Sequence, residues 1–224
     1  MDRISRLRRK FPIARLIRRA LKITPMQRVL RKVEVRGVRP SELEALDIFG
    51  GTGAMHTVDY ASRVASLEVW ELNPAYEAAL RRNLPRAEIK ITDSFQELKQ
   101  TSKKYSLIVA DNPIGIFGPR DEYCEHFDLF PDILRVASDS SLLILVAIPK
   151  INAAAIRQYP YLLNSLHRQR RMDFYQTSHP DNVSHEAMIA VYQGLLSTNG
   201  FELEWYFFEK RTFIYSLVLK IRKT

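Results

Sequence analysis

The run Leu46-Asp47-Ile48-Phe49-Gly50-Gly51-Thr52-Gly53 constrains the fold more than any other part of the chain. A short apolar stretch carries an acid, breaks at glycines, and gives way to residues able to form a helix. A second apolar stretch, Ser66 to Trp70, ends at Glu71, 18 positions beyond Gly53. A strand, a glycine turn, a helix and a second strand closed by a carboxylate make a nucleoside-binding half of an α/β sheet. The glycines let the backbone turn sharply and come close to a ligand. A carboxylate at the end of the second strand can accept both hydroxyls of a ribose.

Two kinds of nucleoside cofactor compete for such a loop. A dinucleotide calls for G-x-G-x-x-G, with its pyrophosphate on a helix N-terminus. Here His56 stands where the third glycine belongs, and Asp47 puts a negative charge beside the loop. That charge suits a cofactor with a sulfonium, an ammonium and no phosphate. The pattern Asp47-x-Phe49-x-Gly51-x-Gly53 resembles motif I of class I S-adenosylmethionine-dependent methyltransferases. The alternative is a glycine turn in an unrelated α/β protein.

The resemblance implies S-adenosyl-L-methionine as cofactor. It sets Asp47 by the methionine end, Gly51 and Gly53 at the close backbone approach, and Glu71 on the ribose. Asp93 falls at the adenine edge, and Phe49, Leu72 and Ser94 complete the cofactor-binding set. Asp93 also suits a helix N-cap before Phe95 to Lys99, and cap alone or cap plus ligand contact both stand.

The remaining pattern alternates strand and helix. Ala75 to Asn83 reads as an amphipathic helix after Asn73-Pro74. Ala87 to Thr92 alternates as a strand, and Tyr105 to Ala110 reads as a buried parallel strand. It runs into Asp111-Asn112-Pro113-Ile114-Gly115. This resembles motif IV of amino-directed methyltransferases, written Asp/Asn-Pro-Pro followed by an aromatic. The resemblance implies that Asp111, Asn112 and the Pro113 carbonyl orient the acceptor amine toward the methyl, a catalysis of alignment. The sequence departs from the motif: Ile114 replaces the second proline and Gly115 the aromatic, with Phe117 or Tyr123 as candidate substitutes. A plain turn after a strand is the competing reading.

Further on, Phe127 to Ala137 reads as a helix, Ser141 to Ile148 as a strand, and Ser184 to Thr198 as a helix stopped by Asn199-Gly200. Phe201 to Phe208 and Phe213 to Lys220 read as two strands. The resemblance covers about residues 41 to 221. It implies an α/β, three-layer Rossmann-like methyltransferase fold, with a mostly parallel seven-stranded sheet and a C-terminal antiparallel hairpin.

Charge divides the chain at its start. Residues 1 to 32 hold 12 Lys or Arg against the single acid Asp2, whereas the remaining 192 residues carry a net charge of −2. We therefore expect a basic helical arm over residues 1–40 and the cofactor-binding domain over 41–224. Pro12 should break the arm before a helix from Ile13 to Lys22, and Pro25 can start another through Lys32. Four roles fit the arm: RNA phosphates, an anionic membrane surface, an organelle presequence, or a helical cover on the sheet. No apolar run is long enough to span a bilayer, and no secretory signal is evident, so a cytoplasmic location is expected.

The single cysteine, Cys124, excludes an intramolecular disulfide. Asn152 to Ser178 carries the basic run His167-Arg168-Gln169-Arg170-Arg171 and the aromatics Phe174 and Tyr175. It should lie near the substrate mouth, either as a nucleotide-binding surface or as a solvated helix with core aromatics. His179, Asp181 and His185 match no strong metal pattern, and no metal is expected. The expected function is methyl transfer to a nitrogen acceptor, RNA ahead of a small-molecule or peptide amine. A hydroxyl acceptor would need a base, with Asp111 or His126 as candidates. A non-catalytic RNA- or partner-binding module is the remaining alternative.

Overall fold

The computed structural model describes residues 23–111 and 114–224. The segment 1–22, including the expected helix from Ile13 to Lys22, lies outside the described residues, as do Asn112 and Pro113.

Seven strands form one sheet: β1 (Glu44–Asp47), β2 (Ser66–Glu71), β3 (Glu88–Ile91), β4 (Tyr105–Ala110), β7 (Ala137–Ala147), β8 (Phe201–Lys210) and β9 (Tyr215–Lys223). Their order is β3-β2-β1-β4-β7-β9-β8. Pairing is parallel from β3 through β7, and β9 runs antiparallel to both of its neighbours. The chain winds outward from β1 to β3 and then returns to place β4 beside β1. The crevice beyond the carboxyl ends of β1 and β4 is thus the switch point where open α/β sheets hold ligands.

Alternation along the strands divides the core between two faces. Leu46, Trp70, Ile108 and Leu143 pack on one side, and Ala45, Val69, Leu107 and Leu142 on the other. The first side is covered by α3 (Ser94–Gln100), α4 (Phe130–Val136) and α7 (His185–Thr198), which contribute Leu98, Ile133 and Tyr192. The second is covered by α1 (Pro25–Val35) and α2 (Glu77–Asn83), which contribute Leu30 and Leu80.

Helix α1 starts at Pro25 because Thr24 forms a capping box with Gln27. Its buried residues Met26, Val29, Leu30 and Val33 recur at helical spacing, and each contributes roughly 1.5–3 kcal/mol by burial. Arg28 and Lys32 pair with Glu209 of β8 at 2.5 and 2.8 Å. Residues 25–35 therefore act as a cover on the sheet.

Three local features bear on the site, and the first departs from the sequence reading. After the glycine loop the chain forms turns, with only a short 3-10 turn at Thr57–Asp59. The buried Asp47 carboxylate accepts from both the Thr57 and Tyr60 hydroxyls and ties this turn to the end of β1. A small hairpin, β5 (Ile116–Phe117) with β6 (Tyr123–Cys124), follows the motif IV segment. The 152–178 region folds into α5 (Ala153–Gln158), a 3-10 turn at Pro160–Leu163, and α6 (Ser165–Tyr175).

Candidate functional site

Two adjoining cavities open at the switch point, and both are lined by Phe49, Gly51 and Asp111. The first, of about 710 Å³, reaches over the ends of β2 and β3. Glu71 closes β2 and is held at both oxygens: Oε2 accepts the Gly51 N–H and Oε1 the Asn73 N–H, each at 2.7 Å. Leu72 is exposed beside it. Asp93 caps α3 by accepting the Phe95 N–H at 2.9 Å, so the capping role holds, and its residue also faces this cavity. Ser94 lines the cavity, but its hydroxyl donates to the Ile48 carbonyl at 2.5 Å. It joins β1 to α3.

Phe117 and Tyr123 wall the same cavity from the β5–β6 hairpin. Tyr123 stacks on Phe95 at 3.6 Å between centroids, and Phe117 meets Phe49 edge-on at 6.3 Å. They line the cavity on the Glu71 side and do not line the second cavity.

Gly53 has φ +71, and a Cβ there would come within 2.8 Å of Leu84 Cδ1. Glycine is required by both backbone and space, which brings the loop tightly onto the α2 end. Asp47 is almost fully buried. Its Oδ2 accepts the Thr57 and Tyr60 hydroxyls at 2.7 Å each, and Oδ1 accepts the Phe49 N–H at 3.2 Å. Burial raises its carboxyl above the usual range against these hydrogen bonds. Asp47 thus lines the second cavity and shapes the loop from beneath.

The second cavity, of about 490 Å³, holds Asp111 in a polar cluster whose other members, Arg211 and His56, sequence reasoning did not assign to the site. Arg211, in the β8–β9 turn, donates from Nη1 to Asp111 Oδ1 at 2.8 Å and from Nη2 to Oδ2 at 3.3 Å. Its Nη2 also meets His56 Nε2, which lies 3.3 Å from Asp111 Oδ2. Ile114, Tyr159, Tyr161 and Ile214 form the apolar wall.

His126 takes no part in either cavity. It is fully buried among Phe127, Phe130, Phe174 and Tyr192, with Nε2 at 2.5 Å from the Tyr192 hydroxyl. Burial pushes its imidazole down to about 4, so it is corrected here from candidate base to core residue. Cys124 is also buried, and burial pushes its thiol up. Neighbouring Glu125 is paired with Arg171 at 2.6 Å and with His167 at 3.1 Å, all three buried. The 167–171 run thus divides: His167 and Arg171 face the interior while Arg168 pairs with Asp181 at 3.0 Å on the surface. His185 stacks on Phe208 at 3.9 Å.

The sequence matches no protein-family model and no curated protein. Solved structures do resemble the fold. Magnesium protoporphyrin IX methyltransferase (ChlM) from Synechocystis PCC 6803 with bound SAH is 15% identical, covering 89% of this chain and 82% of that one, at TM-score 0.55. The chain has a Rossmann-like methyltransferase fold. The N-methyltransferase NodS from Bradyrhizobium japonicum WM9 is 13% identical over 89% of this chain and 97% of its own, at 0.53. TYW2 of M. jannaschii in complex with AdoMet is 11% identical over 88% and 76%, at 0.51. This fold likeness accords with the strand order and with the cavity position at the carboxyl ends of β1 and β4.

Proposed function

We propose that this protein transfers a methyl group from S-adenosylmethionine to a ring-borne nitrogen of an RNA base. The observation that carries the cofactor assignment is Glu71. Two backbone N–H groups fix its carboxylate in the first cavity, and a carboxylate offers about four acceptor positions. Two remain for a pair of ribose hydroxyls. The cavity lies within the usual size of small-ligand sites. Phe95, Phe117 and Tyr123 supply apolar surface for a purine, and Asp93 an acceptor for its amino edge. The residues fit the group.

Bound S-adenosylmethionine supplies a methyl made electrophilic by its sulfonium. The chain's own residues hold and align. Gly51 and Gly53 bring backbone close, Glu71 fixes the ribose, and Phe49 lies where the two cavities meet. Asp111, fixed by Arg211 and His56, faces both cavities and orients the acceptor nitrogen, with Asn112 and the Pro113 carbonyl assigned beside it by the motif resemblance. Positioning of this kind supplies most of such a rate.

RNA is supported by the basic segment 1–22 and by where it joins the body. Thr24 donates its hydroxyl to Asp59 at 2.7 Å, and Arg28 bonds the Ile23 and Lys210 carbonyls. Asp59 and Lys210 are close neighbours in sequence of the cavity-lining Thr57 and Arg211. The described chain thus begins beside these segments, and the nine Lys or Arg of residues 1–22 are the groups available to hold phosphates. Incubation with labelled S-adenosylmethionine and unmodified ribosomal RNA transcripts tests the assignment. Label incorporated in RNA, and absent with Glu71→Ala, is the expected result. Label transferred only to small amines would replace the acceptor, and no transfer would favour a non-catalytic binding module.

A further inference from the structure

The second cavity has an aromatic wall that no part of motif IV supplies. Tyr161 lines it at 44% exposure, a large ring left uncovered inside a cleft. The ring comes from the 3-10 turn Pro160–Leu163, which follows β7 by way of α5. This turn is anchored. Leu162 is fully buried in a small cluster with Ile148, Ile151 and Ala155, and its carbonyl lies 3.2 Å from His167 Nδ1. Tyr159 braces Tyr161 at 5.6 Å and 62°, and Phe213 in turn packs on Tyr159 at 5.5 Å.

Gly115 makes the ring's position available. A Cβ on Gly115 would lie 2.8 Å from both Cδ2 and Cε2 of Tyr161, and its φ of +90 already excludes ordinary side chains. The segment after Asp111 gives up its own side chain, and Tyr161 occupies that space. The same cavity carries the Asp111–Arg211–His56 cluster. An exposed ring beside donors and acceptors matches a flat molecule with a hydrogen-bonding edge. Stacking on an aromatic side chain favours any flat base, because every base presents a π-face.

We infer that Tyr161 is the stacking platform of the acceptor and determines specificity for a planar, nitrogen-bearing ring, a nucleobase under the function proposed above. The inference rests on that proposal for its acceptor class. Selectivity then comes from the 153–163 insertion and not from the motif IV segment.

The test uses the full chain saturated with S-adenosylhomocysteine and ligand-observed NMR titration with guanosine 5′-monophosphate. Ribose 5-phosphate, which keeps sugar and phosphate without the ring, is the control. The wild type should bind the nucleotide at least tenfold more tightly than the control. Tyr161→Phe should stay within threefold of wild type, and Tyr161→Leu should lose tenfold or more. Both variants should bind S-adenosylhomocysteine as wild type does, which also shows that they fold. Equal binding of the two probes, absent nucleotide binding, or an unaffected Tyr161→Leu would overturn the platform. Failure of S-adenosylhomocysteine to bind the wild type would instead bring down the cofactor assignment, and the nucleotide titration without it would still read Tyr161.

Discussion

The guanidinium of Arg211 grips the carboxylate of Asp111 with both terminal nitrogens, at 2.8 and 3.3 Å. The two residues are 100 positions apart, one in the β8–β9 turn and one just past β4. A paired fork fixes orientation as well as charge.

Arg211→Met should therefore loosen Asp111, leaving His56 beside it, and cost alignment more than cofactor affinity. Hydrogen bonds to charged groups contribute roughly 1.5–3 kcal/mol, so methyl transfer should fall about ten- to a hundredfold. Affinity for S-adenosylmethionine should change less than about threefold, because Arg211 pairs with Asp111 and does not touch Glu71, on which the ribose is proposed to rest. Single-turnover transfer and calorimetry separate the two effects, and a pure affinity loss would move Arg211 to the cofactor.

Gly53→Ala should destabilise the fold and loosen cofactor binding together. The left-handed conformation costs a residue with a Cβ roughly 1–2 kcal/mol, and the approach to Leu84 at 2.8 Å adds to it. Urea unfolding measures the first effect and calorimetric titration the second.

Acid should destabilise the protein in two stages. His126 has its folded value near 4 against 6.5 when free, because burial disfavours the imidazolium. The unfolded chain binds that proton first, so this contribution is complete above pH 6.5 and is lost as pH falls toward 4. The slope approaches about 1.4 kcal/mol per pH unit for one proton. Burial alone would raise Glu125, but Arg171 and His167 hold it at about 2, so a second loss begins below 4.5. Urea titrations from pH 7 to 4 should show the first limb, and His126→Phe should flatten it.

Deleting residues 1–22 should leave the fold intact, since α1 carries its own cap at Thr24. RNA affinity should fall, and the plot of log affinity against log salt should become shallower. Its slope should change by about 0.7 for each phosphate that the arm no longer neutralises. An unchanged slope would remove the arm from RNA binding.

The sheet was legible because its strands are short apolar runs punctuated by glycine, proline and acids. Most strand boundaries lie within one or two residues of the expectation, and β7 starts four earlier than Ser141. Glu71 ends β2 and Asp93 lies two residues past β3, so their place beside the first cavity was legible from local position. The pairing of Asp111 with Arg211 and His56 was not. Arg211 sits in Glu209-Lys210-Arg211-Thr212, which reads as a solvated turn, and only the hairpin's return brings it to Asp111. Tyr161 lies where periodicity fails, in three short helical pieces set by side-chain caps at Asn152 and Asn164. His126 looked available in sequence because burial by Phe174 and Tyr192, about 50 and 66 positions away, is a tertiary fact.

The most direct test of the account is calorimetric titration of wild type and Glu71→Ala with S-adenosylmethionine, with NADH as control. The account predicts selective binding of S-adenosylmethionine, weakened by roughly ten- to a hundredfold when Glu71 is replaced. Preference for NADH, no binding, or equal affinity in the variant would contradict it.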